Sequence, residues 1–295
     1  MGYSVLWQEF NSLYRRDEDL LPLIERLKWP CGFNCYSCGH RTAYRIATRN
    51  LPLYECAKCK YQQSLTAHTI MHKSRTSIRK WLFVMYLVGK YERSINAVQL
   101  SGLLDLSYKT AWRMLNKIRS VLSVESAQLW GENVEIKHEV FNLQTILTDD
   151  RLQKERSVAI VQSITRDERD CDSSFIAFRL LDRSKQAREN LEYTEQANLL
   201  LQLNLSCHNS VEVNPRFQQF QRKPAEESSI PKRTCHPLSS IAITAFSWMK
   251  DMFHGIGIKY AQQYMDEYCL RLNASTGAIK CAFEHTLRLS LQRHH

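Results

Sequence analysis

The sequence predicts a multidomain α+β protein, and three features carry that prediction. Cys35-Tyr-Ser-Cys38 and Cys56-Ala-Lys-Cys59 set two thiol pairs seventeen residues apart. A basic stretch follows, ending near residue 122, in which apolar residues recur at helical spacing. From Val134 onward, strand-like runs lead into a helical pattern and then a further strand, the texture of a mixed α/β layer.

The paired cysteines define the first element. A tetrahedral Zn²⁺ ion takes four soft ligands, and each Cys-x₂-Cys turn can present two thiolates to one ion. Cys35, Cys38, Cys56 and Cys59 are therefore expected to hold a structural zinc, with no coordination position left for chemistry. Thr42 to Ile46 and Leu51 to Tyr54 carry strand-forming residues that suit two short strands between the pairs. Gly39 and Lys58 fit the tight turns of a zinc ribbon. Cys31 and His40 lie close enough to compete as ligands, but neither repeats the paired spacing. The alternative is four buried or disulfide-bonded cysteines. Cys171, Cys207, Cys235, Cys269 and Cys281 are scattered singly and read as small buried hydrophobes.

A chain of 295 residues can hold two or three small domains, and 44 % hydrophobic with 10 % aromatic content is globular in character. The longest apolar run, Trp81 to Val88, is far shorter than the ~20 residues of a bilayer span. The start lacks the pattern of a secretory signal. An intracellular, reducing setting with no membrane partner is expected, consistent with ten cysteines of which four form a metal pattern.

Charge is distributed unevenly. Residues 1–122 hold 19 Lys and Arg against 8 Asp and Glu, a net of +11, whereas the remainder is close to neutral. Between Cys56 and Val121 there are twelve basic residues and two acidic ones, Glu92 and Asp105. Such a block is the electrostatic footprint of a polyanion binder; the alternative is a solvated basic face.

In chain order, residues 5–28 read as two short helices broken near Arg16-Asp17, packed as a lid on the ribbon. Gln62 to Ile70 reads as a polar, strand-like link. Ser77 caps a helix from Ile78 to Val88 that is apolar on nearly every face and so should be buried. Ser94 to Ser101 forms a short helix, Gly102 to Leu106 a turn, and Ser107 caps a helix to Leu122. In that helix Ala111, Met114, Leu115, Ile118 and Val121 share one face, with Lys109, Arg113 and Lys117 on the other and Thr110 beside them. This is the helix-turn-helix pattern, whose second helix enters the major groove of duplex DNA. An amphipathic helical pair fits the same spacing. Val134 to Ile136, Ser157 to Thr165, Asp172 to Leu181 and Val211 to Val213 read as strands, with a helix from Ser184 to about Leu203. Pro215 to Ser240 reads as a long loop, and helices follow at Ile241 to Phe253, Lys259 to Leu272 and Ser275 to Gln292. The expected division is 1–73, lid and ribbon; 74–122, helix-turn-helix; and 130–295, the α/β region.

Several stretches resemble a known family. Trp29-Pro-Cys-Gly-Phe-Asn-Cys-Tyr-Ser-Cys-Gly-His40, Tyr54-Glu-Cys56, Gln63-Ser64 and Thr69-Ile70 are similar to the N-terminus of zinc-ribbon insertion-sequence transposases of the ISXO-like group. The likeness continues through Ser74 to Trp81 and Leu106 to Met114, and returns at Trp248, His254-Gly255 and Gln263 to Asn273. It implies an RNase H-like catalytic domain after the helix-turn-helix. In that domain two acidic residues and an Asn or Glu hold divalent metal, Mg²⁺ for instance, for cutting and joining strands. Carried over residue by residue, the first position is Lys137, the second Asn214, and the third Thr244, or Ile243 one register earlier. An ammonium at the first position repels a dication, so the resemblance implies a degenerate, inactive catalytic domain on a DNA-binding transposase relative. It further implies duplex DNA as partner, insertion-sequence ends in particular, with a homo-oligomer and a bacterial cytoplasmic, nucleoid-associated location. Two alternatives stay open. One is an active transposase with a displaced metal site built on Glu139 and Glu212; the other is a zinc-dependent protein-interaction module.

Overall fold

The computed structural model describes residues 2–47, 51–90, 94–125, 134–142, 155–166, 172–181, 210–212, 237–253 and 256–292. The chain divides into two compact units, Met1–Leu122 with Cys281–His295, and Ser123–Lys280.

The first unit starts with helix α1 (Tyr3–Leu13), a 3₁₀ turn (Asp17–Leu20) and α2 (Leu21–Lys28). The break falls where the sequence places it, and Pro22 sits in the first turn of α2, where its missing N–H costs nothing. Three short antiparallel strands follow: β1 (Ala43–Ile46), β2 (Leu53–Cys56) and β3 (Gln62–Ser64), with β2 central. The expected polar link is thus a strand only over its first three residues. Glu25 on α2 pins the lid to this sheet, accepting a hydrogen bond from the Tyr54 hydroxyl and lying 3.8 Å from Arg45.

Helix α3 (Ile78–Lys90) is buried over Trp81 to Val88, as its all-round apolar sequence requires. Phe83 and Tyr86 join Phe10 and Phe283 in an aromatic core. Helices α4 (Ala97–Leu104) and α5 (Tyr108–Glu125) complete the N-terminal part. The sequence places a turn at Gly102; α4 instead runs through it to Leu104. The reversal is made by Asp105, Leu106 and Ser107, with Asp105 left-handed at φ 49°. Asn96 caps α4, its side chain accepting from the Gln99 backbone while Gln99 reciprocates.

In the second unit, β4 (Val134–Asn142), β5 (Glu155–Arg166) and β6 (Asp172–Leu180) form an antiparallel meander, and β7 (Ser210–Glu212) pairs parallel with β4. Alternation directs Phe141, Val158, Ile160, Ile176 and Phe178 into one core. Helices α6 (Pro237–Met252) and α7 (Ile258–Ser275) cover that face through Leu238, Ala242, Ala245, Met249, Ala261, Met265 and Cys269. Helix α6 starts at Pro237, inside the stretch read as a loop, because Leu238 continues the apolar spacing of Ala242 and Ala245. The helix expected over 184–203 and the position Asn214 lie outside the described residues.

The last helix, α8 (Ala282–Leu291), belongs to the first unit, although the sequence division runs 130–295 in one piece. Phe283 joins the aromatic core, and a Cβ on Gly89 of α3 would stand 2.9 Å from the Phe283 backbone nitrogen. Glycine is what permits that approach.

Candidate zinc centre and nucleic-acid interface

Cys35 and Cys38 stand in the turn before β1, and Cys56 and Cys59 in the turn that leaves β2. Their four sulfur atoms lie within 4.8 Å of one another, with Cys35 3.6 Å from Cys59 and Cys38 3.6 Å from Cys56. Tetrahedral Zn–S bonds of about 2.3 Å separate neighbouring sulfurs by about 3.8 Å, so the cluster has the size of a Zn(Cys)₄ site. All four thiols are free, and these separations are far too long for disulfides. Cys31 and His40 are not members of the group.

The two turns are built alike. In the first, the Cys35 N–H donates to His40 and the Gly39 N–H donates to Cys35; in the second, Cys56 donates to Tyr61 and Lys60 to Cys56. Gly39 and Lys60 take equivalent left-handed positions, at φ 72° and 60°. Lys60, not Lys58, is therefore the counterpart of Gly39, a distinction of backbone geometry that composition does not reveal. Burial works against the Cys56 thiolate, but the backbone N–H groups of Cys59 and Lys58, together with the Cys38 and Cys59 thiols, outweigh it and bring the thiol down to about 6. At Cys38 the His40 N–H is outweighed by burial and the neighbouring thiols, which push it up to about 12, so the cluster sheds its protons at Cys56 first. A thiolate at neutral pH is the form a metal takes. The donor set and spacing fit a structural Zn²⁺ ion held by Cys35, Cys38, Cys56 and Cys59.

Among the described residues, the basic block resolves into two populations. Five of its members tie the fold together. Arg79 reaches Asp17, Asn11 and Tyr14. Lys80 donates to the Leu104 carbonyl at 2.6 Å, closing the C-terminus of α4. Lys90 pairs with Glu9, the buried Arg119 donates to Ile95, and Lys117 donates to Ile70 at 2.8 Å. Lys58, Lys60, Lys73, Arg75, Lys109 and Arg113 remain exposed.

Of the four residues expected to meet DNA, the structure therefore separates two from two. Lys109 and Arg113 stand exposed four residues apart on α5. Thr110 is engaged with its helix cap, its hydroxyl 2.8 Å from that of Ser107, and Lys117, though also exposed, ties its ammonium to the loop after the ribbon. Tyr108, 57 % exposed, and Trp112 flank the same face and were hidden in the sequence by their resemblance to core residues.

Lys137 on β4 is buried, shares a strand face with Glu135 and Glu139, and pairs in register with Glu212 of β7. Glu139 accepts a hydrogen bond of 2.6 Å from Ser239 of α6. Thr244 and Ile243 are exposed, away from the face of α6 that carries Ala242 and Ala245, and the Thr244 hydroxyl is spent on the Ser240 carbonyl. The structure brings Lys137 to the sheet interior but does not turn Thr244 or Ile243 inward.

Residues 15–62 match the transposase zinc-ribbon domain of the insertion-sequence 1595 type. Over 110 residues the chain is 27 % identical to an uncharacterized protein in transposable element ISH50 of Halobacterium salinarum, a match spanning 37 % of each chain. No solved structure matches significantly. Among the described residues, no helix is long and apolar enough to cross a membrane.

Proposed function

From a transposase zinc-ribbon domain over residues 15–62, we propose that this protein is a transposase-derived DNA-binding protein whose strand-transfer site has lost its metal ligands. The observation that carries the reading is the placement of α4 and α5 in the same compact unit as the ribbon, with Lys109 and Arg113 exposed on the second helix. Two helices joined by a three-residue turn with a left-handed Asp105 support a helix-turn-helix. In this reading α5 is the recognition helix, Arg113 reads a base or phosphate, and Lys58, Lys60, Lys73, Arg75 and Lys109 neutralise backbone charge.

The sheet order β6-β5-β4-β7, with α6 and α7 on one face, supports an RNase H-like second unit. Lys137 stands at the first metal-ligand position of the resembled family and is 6 % exposed. A buried ammonium there opposes binding of Mg²⁺ by Coulomb repulsion, which favours inactivity over a site displaced to Glu139 and Glu212. The proposed partner is duplex DNA, insertion-sequence ends being the first candidates, in the bacterial cytoplasm.

The test is binding of labelled duplex across a salt series, beside a cleavage assay with Mg²⁺ or Mn²⁺. Affinity that falls steeply with salt, and drops by about 1–3 kcal/mol in Arg113→Ala, is expected without cleavage. Salt-insensitive or absent binding overturns the DNA reading in favour of a protein-interaction module. Metal-dependent cleavage lost on changing Glu139 or Glu212 would establish an active enzyme.

A further inference from the structure

A cavity of about 300 Å³ opens beside the ribbon, lined by Trp29, Asn34, Tyr36, Arg41, Gln63 and His68 among others. That volume stands at the lower end of small-molecule sites. It admits one planar ring with a sugar and no double helix.

The walls are aromatic and held in place. Tyr36 and His68 stack with centroids 3.5 Å apart and planes 4° from parallel, and His72 continues the series at 5.6 Å and 12°. The Tyr61 hydroxyl lies 3.0 Å from His68 Nε2 and fixes the imidazole. His68 itself is left-handed at φ 60°, a conformation that needs support from its surroundings. Lys28 supplies it. Its ammonium donates to the carbonyls of Ser64, Leu65 and Ala67 at 3.1, 2.7 and 2.8 Å, clamping the loop that carries His68. Trp29 is fixed against Tyr54 and Phe33 at 4.8 and 5.2 Å. Gln63 is 4 % exposed and is committed to the Tyr36 N–H and the Asn34 carbonyl, so the polar part of the wall is preset as well. Arg41 is exposed at the cavity and stands in the strongly basic part of the chain.

Rigid π-faces beside a free guanidinium are the chemistry that binds single-stranded nucleic acid, because every base can stack and every phosphate is an anion. We propose that this cavity receives one unpaired nucleotide of the bound DNA, its base against Trp29 and the face of Tyr36 turned away from His68, with His68 backing Tyr36 and the phosphate on Arg41. The proposal rests on the DNA-binding reading above and adds a preference for duplexes with an unpaired end over blunt ones.

The test uses the full, zinc-loaded chain with two labelled duplexes of the same sequence, one blunt and one with a three-nucleotide overhang containing 2-aminopurine. Wild-type protein is expected to bind the overhang duplex roughly tenfold tighter, as one stacked base would give, and to quench the 2-aminopurine. Ala67→Leu, which fills the cavity, and Arg41→Gln are expected to abolish the advantage while blunt-duplex affinity and zinc content stay unchanged. Equal wild-type affinity for the two duplexes, or an advantage that survives both variants, overturns the pocket and leaves duplex binding standing. Binding of the free overhang strand with no affinity for blunt duplex keeps the pocket and overturns the duplex reading. Binding to neither overturns both.

Discussion

Asn273 of α7 closes the open edge of the second sheet at Ile176. Its Oδ1 accepts from the Ile176 N–H and its Nδ2 donates to the Ile176 carbonyl, both at 2.8 Å, as a neighbouring strand would. Gln262, three turns earlier, repeats the device, accepting from the Leu180 N–H and donating to the Phe178 carbonyl, again at 2.8 Å each. Among the strands described, β6 is at the edge, where unpaired backbone groups invite association with other chains. Between the two amides, Asp266 receives Arg179 at 3.2 Å, while Glu267 holds Arg271 over the Trp248 ring. Gln262, Asp266 and Asn273 thus fasten α7 along β6.

Asn273→Ala removes both partners from a backbone position sealed from water. Each orphaned group costs about 1–3 kcal/mol, so a loss of about 2–6 kcal/mol is expected for the two. Urea unfolding followed by fluorescence, in a variant that keeps Trp248 as its sole tryptophan, checks this, the midpoint falling with little change in slope. Asn273→Asp keeps the acceptor but sets a buried carboxylate oxygen against the Ile176 carbonyl, and should destabilise at least as much as the alanine variant.

Gly89→Ala tests the contact between α3 and α8. In an isolated helix this change stabilises by about 1 kcal/mol. Here the new methyl would stand 2.9 Å from the Phe283 nitrogen and 3.0 Å from Ala282, so a net destabilisation of about 1–3 kcal/mol is expected from overpacking. Thermal unfolding gives the sign directly, and a stabilised variant would show that α8 does not pack there.

These two contacts mark where sequence reasoning stopped. Local signals were legible: the Cys-x₂-Cys spacing located all four members of the cluster, Pro22 and Ser77 marked helix starts, and strand-like runs found β5 and β6. Contacts between distant residues were not. Nothing in Ala282 to Leu291 says that this helix leaves its sequence neighbours for α3, because any apolar groove would satisfy its spacing. Likewise Lys117 and Arg113 look equivalent on a helical wheel and are both exposed, and only the position of the Ile70 carbonyl marks Lys117 as a structural tie.

Zinc content separates the cysteines. Cys56→Ser removes a buried member of the cluster and is expected to abolish stoichiometric zinc binding and loosen the ribbon, because binding a structural metal and folding its site are one equilibrium. Cys31→Ser, at an exposed thiol outside the cluster, should retain one zinc per chain. Metal release during thiol titration measures both. Retention by Cys56→Ser, or loss from Cys31→Ser, would redraw the ligand set.

Lys28 gives a pH dependence of definite sign. Burial pushes its ammonium from 10.5 down to about 8, while three carbonyl acceptors keep it charged at neutral pH. Below about pH 8 folded and unfolded chains both hold the proton, and the cost of burying the charge is constant. Between about 8 and 10.5 the unfolded chain holds the proton and the folded chain has released it, so raising the pH favours folding. Other titrating groups contribute equally to wild type and to Lys28→Met, which leaves the Lys28 contribution in the difference between their unfolding free energies. That difference should move toward the wild type as pH rises through this window and be flat below it. A difference that moved the other way would mean that the three carbonyls hold the proton more strongly than burial expels it.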